Sequence, residues 1–167
     1  MSKTTDNAHL VYKLSNNFSR LLLEFGKDYE RRILEKLQRR GHPLVRPSHS
    51  SVFSNLGLGA VRVTELAERA LVTQQAMGKI LKELERIGYI VRDIDGSDRR
   101  AKKIRLTERG VQLVKDSMEI VAEVRQHYAK QVGAAELDDL EAQLARCVSR
   151  IDLEYLPESW VDPEMAA

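Results

Sequence analysis

The spacing of apolar residues divides the chain into helical stretches around one short region of strand-like alternation. Over residues 9–38, apolar side chains recur every three or four positions, which predicts one amphipathic helix. Gly41 and Pro43 end this helix, because glycine suits a left-handed cap and proline cannot continue a helix. A second helix is predicted over residues 47–56, since Pro47 fits the first helical position.

The middle of the chain predicts two short helices followed by a hairpin. The helices cover residues 65–70 and 74–87, with Thr64 and Thr73 as their N-caps. The turn between them is so short that the pair is a candidate helix-turn-helix. The pattern then changes to period two over residues 89–92 and 102–106, which predicts two strands joined by the turn-forming residues 93–98.

Two more helices are predicted towards the end of the chain, one from Thr107 to Gly133 and one over residues 135–153. The expected buried stripe of the first consists of Val111, Val114, Met118, Val121, Tyr128 and Val132. That of the second consists of Leu137, Leu140, Leu144, Val148 and Ile151. The predicted fold is therefore mainly α-helical with one small β-hairpin.

Composition limits the class of protein. The 167 residues are 43% hydrophobic and only 5% aromatic, which favours one helical domain with extensions over a strand-rich sandwich. No run of about 18 apolar residues predicts a membrane span, and residues 1–9 lack the apolar core of a signal peptide. Cys147 is the single cysteine and fits a reducing compartment. We therefore expect a cytoplasmic protein.

The net charge of +2 conceals an uneven distribution. Residues 36–109 contain 16 basic and 8 acidic residues, whereas the rest of the chain contains 11 basic and 17 acidic. A basic middle between acidic ends indicates a module that binds a polyanion, carried on a different scaffold. The alternative is a charged surface that is merely solvated.

The predicted helix over residues 74–87 has two distinct faces. At about 100° per residue, its apolar side chains share one side: Met77, Ile80, Leu81, Leu84 and Ile87. The opposite side consists of Gln75, Gly78, Lys79, Lys82 and Arg86, with Gln74 at its edge. Glutamine can pair with adenine in the major groove, and lysine can donate to guanine or phosphate. An ordinary solvated helix face remains the alternative.

The predicted hairpin favours the nucleic-acid interpretation. Between Arg92 and Arg105 there are six basic and three acidic residues. A protruding basic loop can follow phosphates or place an arginine in the narrow minor groove. Asp98 lies two residues before Arg100 and could hold that side chain extended. The alternative is an exposed turn kept soluble by its charges.

Together these segments resemble a known family. The stretches LAERA at 66–70, TQQAMGK at 73–79, LERIGYI at 84–90, and DRRA at 98–101 leading to RLTERG at 105–110 resemble the winged-helix core of the multiple antibiotic resistance regulator (MarR) family. The combined motif is specific, although each piece alone is weak. The long first helix and the two closing helices extend the resemblance over nearly the whole chain.

The resemblance implies a sequence-specific, double-stranded DNA-binding transcriptional regulator that acts as a homodimer. It implies a ligand-responsive repressor on a pseudo-palindromic operator. The corresponding organisation is an N-terminal dimerisation helix (1–40), a winged helix-turn-helix domain (43–110), C-terminal dimerisation helices (107–153) and an acidic tail (154–167). The alternative function is a winged-helix protein-interaction module without sequence-specific DNA binding.

The resemblance also assigns the DNA-binding residues. In the family, the second helix of the motif enters the major groove and wing arginines reach the minor groove. Carried over to this sequence, the expected contacts are Thr73, Gln74, Gln75, Gly78, Lys79, Lys82, Asp98, Arg99, Arg100 and Lys102. Arg100 would enter the minor groove, braced by Asp98, while Arg99 and Lys102 would contact phosphates.

Members of the family commonly respond to small aromatic or phenolic effectors, to oxidants through cysteine, or to metals. The family's effector crevice suggests His49 and Phe53 as lining residues, with a packing role for His49 as the alternative. We expect Cys147 to be a buried structural thiol, because it lies on an apolar stripe. The four histidines are dispersed, so no metal site is expected. No cofactor or catalytic motif is recognised, so we do not expect an enzyme.

Overall fold

The computed structural model describes residues 2–56, 60–94, 102–151 and 153. Within them, seven helices and three strands follow one another. In chain order they are α1 (Ser2–Ser15), α2 (Phe18–Arg39), α3 (Pro47–Leu56), β1 (Val61–Arg62), α4 (Val63–Arg69), α5 (Gln74–Arg86), β2 (Ile90–Ile94), β3 (Lys102–Leu106), α6 (Glu108–Val132) and α7 (Ala134–Arg150). The mainly helical fold with a small hairpin that the sequence predicts is confirmed.

The prediction of a single helix over residues 9–38 is wrong, because the chain breaks between α1 and α2. Asn17 is the N-cap of α2, and its side-chain oxygen accepts from the Arg20 N–H at 2.9 Å. The amide nitrogen of the same side chain donates to the carbonyl oxygens of Lys13 and Leu14 at the end of α1. One asparagine thus satisfies the exposed backbone groups of both helix ends.

The sheet contains one strand more than the sequence predicts. Its order is β1-β3-β2, and both pairings are antiparallel. Val61 and Arg62 pair with Ile104 and Lys103 of the hairpin and lead directly into α4. Consequently α4 begins at Val63 with Arg62 at the N-cap position, and the prediction that Thr64 is the N-cap is wrong. The strand pairing fixes the chain before the helix, without a side-chain cap.

A tight turn joins α4 to α5. Leu71 adopts φ 53°, the left-handed region that a non-glycine residue enters at a cost of about 1 kcal/mol. In this turn the Leu71 N–H bonds to the Glu68 carbonyl and the Val72 N–H to the Ala67 carbonyl, both at 3.0 Å. The predicted Thr73 cap of α5 is confirmed. The turn therefore fixes the angle between α4 and α5.

Tyr89 joins the hairpin to the helices around it. Its side chain is fully buried, with the guanidinium of Arg109 4.6 Å from the ring centroid. The Phe53 ring of α3 meets it edge-on at 6.0 Å. A methyl group on Gly110 would lie 2.2 Å from the Tyr89 carbonyl oxygen, so only glycine lets α6 approach β2 this closely.

A buried polar chain links Tyr89 to the loop between α2 and α3. His42 Nδ1 lies 2.8 Å from the Tyr89 hydroxyl, and His42 Nε2 lies 2.8 Å from Asp116 Oδ2 on α6. The bond from His42, helped by Gln112, holds the pKa of Asp116 below its usual range. An ionised Asp116 can only accept, so His42 Nε2 donates to it.

The two faces of α6 differ from the prediction. Leu113, Ile120 and Val124 are buried, and of the predicted stripe only Tyr128 is buried with them. Met118 in that stripe is 71% exposed. The helix carries apolar residues on two sides, and packing against α2 and the sheet covers only one of them. Periodicity alone cannot show which side its neighbours cover.

Apolar side chains at the end of α7 are exposed. Leu137 near its start is buried, whereas Val148 and Ile151 at its end are exposed. Cys147 is also exposed, so the predicted burial of this thiol is wrong for the single chain. The apolar stripe is present as predicted, but among the described residues it is buried at Leu137, partly covered at Leu144 and exposed at Val148.

Acid should weaken the bond between His42 and Asp116. Folding lowers the pKa of Asp116. The bond therefore stabilises the folded state fully at a pH above the carboxyl's ordinary pKa of 3.8, and this stabilisation is lost as the pH falls through the lowered pKa. Between pH 5 and pH 2, Asp116→Asn should lose less unfolding free energy than the wild type, as measured by urea unfolding. The difference should be up to about 1.4 kcal/mol per pH unit. Asp139→Asn on the exposed surface of α7 is the control. An acid dependence of Asp116→Asn equal to that of the wild type would contradict this role.

Candidate nucleic-acid interface

The outer face of α5 is polar and exposed over a tightly packed inner face. Met77, Leu81 and Leu84 are fully buried beneath the helix. Every predicted major-groove side chain of α5 lies on the opposite side and is exposed: Gln74, Gln75, Lys79 and Lys82. The two faces are therefore divided as the 100° periodicity predicts.

Thr73 positions the first turn of α5. Its hydroxyl accepts from the Ala76 N–H at 3.1 Å, which satisfies one of the free donors at the helix start. The side chain of Thr73 is itself exposed beside Gln74. The cap thus presents the start of α5, with its remaining backbone N–H groups and partial positive charge, towards solvent.

The acidic residues of α5 are neutralised from other elements. Glu83 pairs with Arg46 at 3.0 Å, and Glu85 pairs with Arg92 of β2 at 3.1 Å. Neither Lys79 nor Lys82 forms an ion pair within the part of the chain that the structure describes. The outer face of α5 therefore keeps a net positive charge. The sequence shows the acids but not the arginines that pair with them, since those partners come from distant positions.

The hairpin formed by β2 and β3 lies next to α5 in the chain. Its register pairs Ile90 with Leu106 at the base and Ile94 with Lys102 at the outer end of the described strands. Lys102 is thus the first residue of β3. The other predicted wing residues, Asp98, Arg99 and Arg100, lie outside the described residues.

A cavity of about 560 Å³ lies between α2, α3 and α6. Its walls are mainly apolar, with Leu34 from α2, Phe53 from α3 and Val114 from α6. Arg46 and Ser50 add polar groups at the α3 side. Of the two residues that the resemblance suggests as effector contacts, Phe53 lines this cavity and His49 does not.

His49 is fully buried between α3 and α5. Its Nδ1 accepts from the Arg46 backbone N–H at 3.2 Å, and its Nε2 lies 3.3 Å from Glu83 Oε2. These contacts agree with the packing alternative for His49. Sequence spacing placed His49 beside Phe53 but could not show that the two side chains leave the helix towards different neighbours.

The matches with known proteins agree with this geometry. Residues 45–101 match the model of the MarR family. The apo form of wild-type MarR from E. coli is 20% identical, with a TM-score of 0.67 over 79% of this chain and 97% of that chain. MepR, a transcription regulator of the Staphylococcus aureus multidrug efflux pump MepA, is 21% identical, with a TM-score of 0.62 over 82% and 100% of the two chains. The predicted resemblance to a MarR winged helix is confirmed.

One similar structure contains nucleic acid. A substituted S. aureus MepR bound to an oligodeoxyribonucleotide is 22% identical to this chain. Its TM-score is 0.55, over 82% of this chain and 99% of that one. In the present chain, no described helix has the length and apolar character needed to cross a membrane. Among the described residues, no cluster of three or more His, Cys, Asp or Glu side chains could hold a metal ion.

A substitution at Gly78 should have opposite effects on stability and on DNA binding. A methyl group there would meet nothing within 4 Å, so the fold itself does not require glycine in the middle of α5. Gly78→Ala should raise the unfolding free energy by about 1 kcal/mol through helix propensity. If DNA backbone or bases approach this point closely, the same change should weaken DNA binding several-fold in fluorescence anisotropy.

Gly26→Ala is the matched control, since a methyl group at Gly26 of α2 also meets nothing within 4 Å. It should give a similar gain in stability, and, once light scattering shows that the proposed dimer is unchanged, its DNA affinity should equal that of the wild type. DNA binding by Gly78→Ala at wild-type strength would show that nothing approaches this position closely.

Proposed function

Starting from a MarR-family winged helix at residues 45–101, we propose that the chain is a sequence-specific, double-stranded DNA-binding transcriptional regulator. The observation that carries the proposal is the outer face of α5. It presents amides and two lysines that form no ion pair with any described residue, while Met77, Leu81 and Leu84 beneath it are fully buried. The similar MepR structure bound to an oligodeoxyribonucleotide supports the same use of the fold.

The glutamine and lysine side chains of α5 have different roles in DNA binding. Gln74 and Gln75 at the helix start read base edges in the major groove, since an amide can pair with adenine in two places. Lys79 and Lys82 contact phosphate or guanine. Thr73 contacts phosphate at the capped helix start.

The wing supplies the second contact. In this proposal Arg100 enters the minor groove, and Asp98 braces it. Arg99 and Lys102 bind phosphates on either side. These assignments come from the family resemblance of the stretch DRRA at 98–101. They would extend the contact beyond the major groove read by α5.

The regulator acts as a homodimer. The first helices expose large apolar side chains, with Leu14 71% and Phe18 72% accessible. Val148 and Ile151 at the end of α7 are exposed as well. Apolar surface of this extent marks an interaction site in a protein that stays in solution. A two-fold pair covering it would read a pseudo-palindrome with half-sites about one helical turn apart.

We further propose that the protein is a cytoplasmic repressor, without catalytic activity, that responds to a small aromatic or phenolic effector. The cavity between α2, α3 and α6 supports the response, because it is large enough for a small ring compound and its walls are mainly apolar. It also lies between the helices proposed to dimerise and the motif proposed to bind DNA.

Selection of bound duplexes from random DNA tests the central proposal. The selected sequences should be pseudo-palindromic, and light scattering should show a dimer both free and bound. Arg100→Ala should weaken binding and reduce the slope of log affinity against log salt by about one. Gln75→Ala should change the preferred sequence instead, because it removes a base contact.

Lys130→Ala, which removes one exposed charge from α6, is the control and should leave affinity and slope unchanged. A monomer that ignores DNA at low salt would refute the proposal. Binding to acidic protein with no preferred DNA sequence would favour the alternative function, a winged-helix protein-interaction module.

Calorimetry with a panel of phenols and aromatic acids tests the effector. For any compound that binds the wild type, Phe53→Leu should lower the affinity about three- to tenfold, because it removes a ring contact in the cavity wall. Val132→Ala, which lies outside the cavity wall, should leave the affinity unchanged. If no member of the panel binds the wild type at millimolar concentration, the effector class is wrong.

A further inference from the structure

Three side chains meet where α3 packs on α5. Glu83 Oε1 lies 3.0 Å from Arg46 Nη1, and Glu83 Oε2 lies 3.3 Å from His49 Nε2. His49 is completely buried, whereas the Glu83 side chain is 26% exposed. One carboxylate of α5 is therefore held from two directions by residues at the start of α3.

The tautomer of His49 is fixed by its other nitrogen. The Arg46 backbone N–H donates to His49 Nδ1, which must therefore be unprotonated. In the neutral ring the proton then lies on Nε2, which is 3.3 Å from Glu83 Oε2 without forming a hydrogen bond to it. Arg46 thus contributes twice, through its guanidinium to Glu83 and through its backbone to the orientation of His49.

Glu83 lies at the border between the two faces of α5. At about 100° per residue it falls between the exposed Lys79 and the buried Ile87. The buried face is apolar, and apolar packing is non-directional. The ion pair between Glu83 and Arg46 weakens with distance, so it ties the border of α5 to the start of α3 and limits rotation of α5 about its own axis.

We propose that Glu83 is a positioning residue for sequence-selective DNA binding, held in place by Arg46 and His49. Together the three residues form a clamp that sets the rotation of α5, and with it the direction in which Gln75 and Lys79 point. The inference rests on the proposed function, because it concerns how α5 is presented to DNA.

The clamp also borders the cavity. Arg46 belongs to the cavity wall together with Pro47, Ser50 and Phe53 of α3. His49 lies about 40° around α3 from Phe53, on the neighbouring side of the helix that faces the core. A change in the cavity that moves the start of α3 would therefore reach α5 through Glu83.

Two substitutions that change the net charge in opposite directions test the clamp. Glu83→Gln removes a negative charge from the motif, and Arg46→Gln removes a positive one. The measured quantity is the ratio of affinity for the best selected duplex to affinity for a scrambled duplex of equal length. If the clamp sets the rotation of α5, each variant should lower this ratio about fivefold, and the double variant should lower it no further.

The alternative explanation predicts a different pattern. If the two residues act only through their charge, Glu83→Gln should bind both duplexes more tightly and Arg46→Gln both more weakly, with the ratio unchanged. That result would overturn the clamp, as would an additive loss in the double variant. Glu68→Gln, the same charge change on the exposed side of α4, should leave the ratio unchanged.

A measurement without DNA separates this inference from the proposed function. A wild type that does not distinguish the two duplexes would refute the proposed function but not the clamp. Hydrogen exchange of the α5 amides in the free protein then decides. Faster exchange to the same extent in Glu83→Gln and Arg46→Gln, but not in Glu68→Gln, supports the clamp, and unchanged exchange overturns it.

Discussion

The burial of Tyr89 is the constraint on which the arrangement of the other elements depends. The residue begins the hairpin, and its ring lies among Arg109, Phe53 and the hydroxyl contact to His42. Its carbonyl oxygen is so close to Gly110 that α6 can follow only one path past the sheet. Because one side chain joins α3, the hairpin and α6, a shift of any of them disturbs the other two.

The sequence predicts those parts of the fold in which local signals agree. For α5, apolar spacing and the Thr73 cap indicate the same start, and β3 pairs with β2, the strand that precedes it in the sequence. It does not predict β1, a two-residue strand whose partner comes much later in the chain. Nor can it show that Met118 and Cys147 stay exposed, because burial depends on which side of a helix its neighbours cover.

The candidate site follows the same rule. The outer face of α5 could be derived from periodicity, because the buried face beneath it is continuous. The different surroundings of His49 and Phe53 could not. Four residues apart, the two side chains leave α3 about 40° from each other. This small angle takes Phe53 to the edge of the cavity and His49 to α5, since the boundary between cavity and core runs between them.

The distribution of ion pairs explains how a chain with a net charge of only +2 can present a basic surface. Where α2 meets α6, cations are paired with carboxylates, as in Lys36 with Glu123 at 2.6 Å and Arg40, at the end of α2, with Glu119 at 2.8 Å. Folding therefore neutralises charge where helices meet. An exposed lysine that has no carboxylate partner can bind a phosphate without first breaking an ion pair, so the full gain from counterion release remains. The positions of the acids, more than the number of bases, thus decide which surface attracts a polyanion.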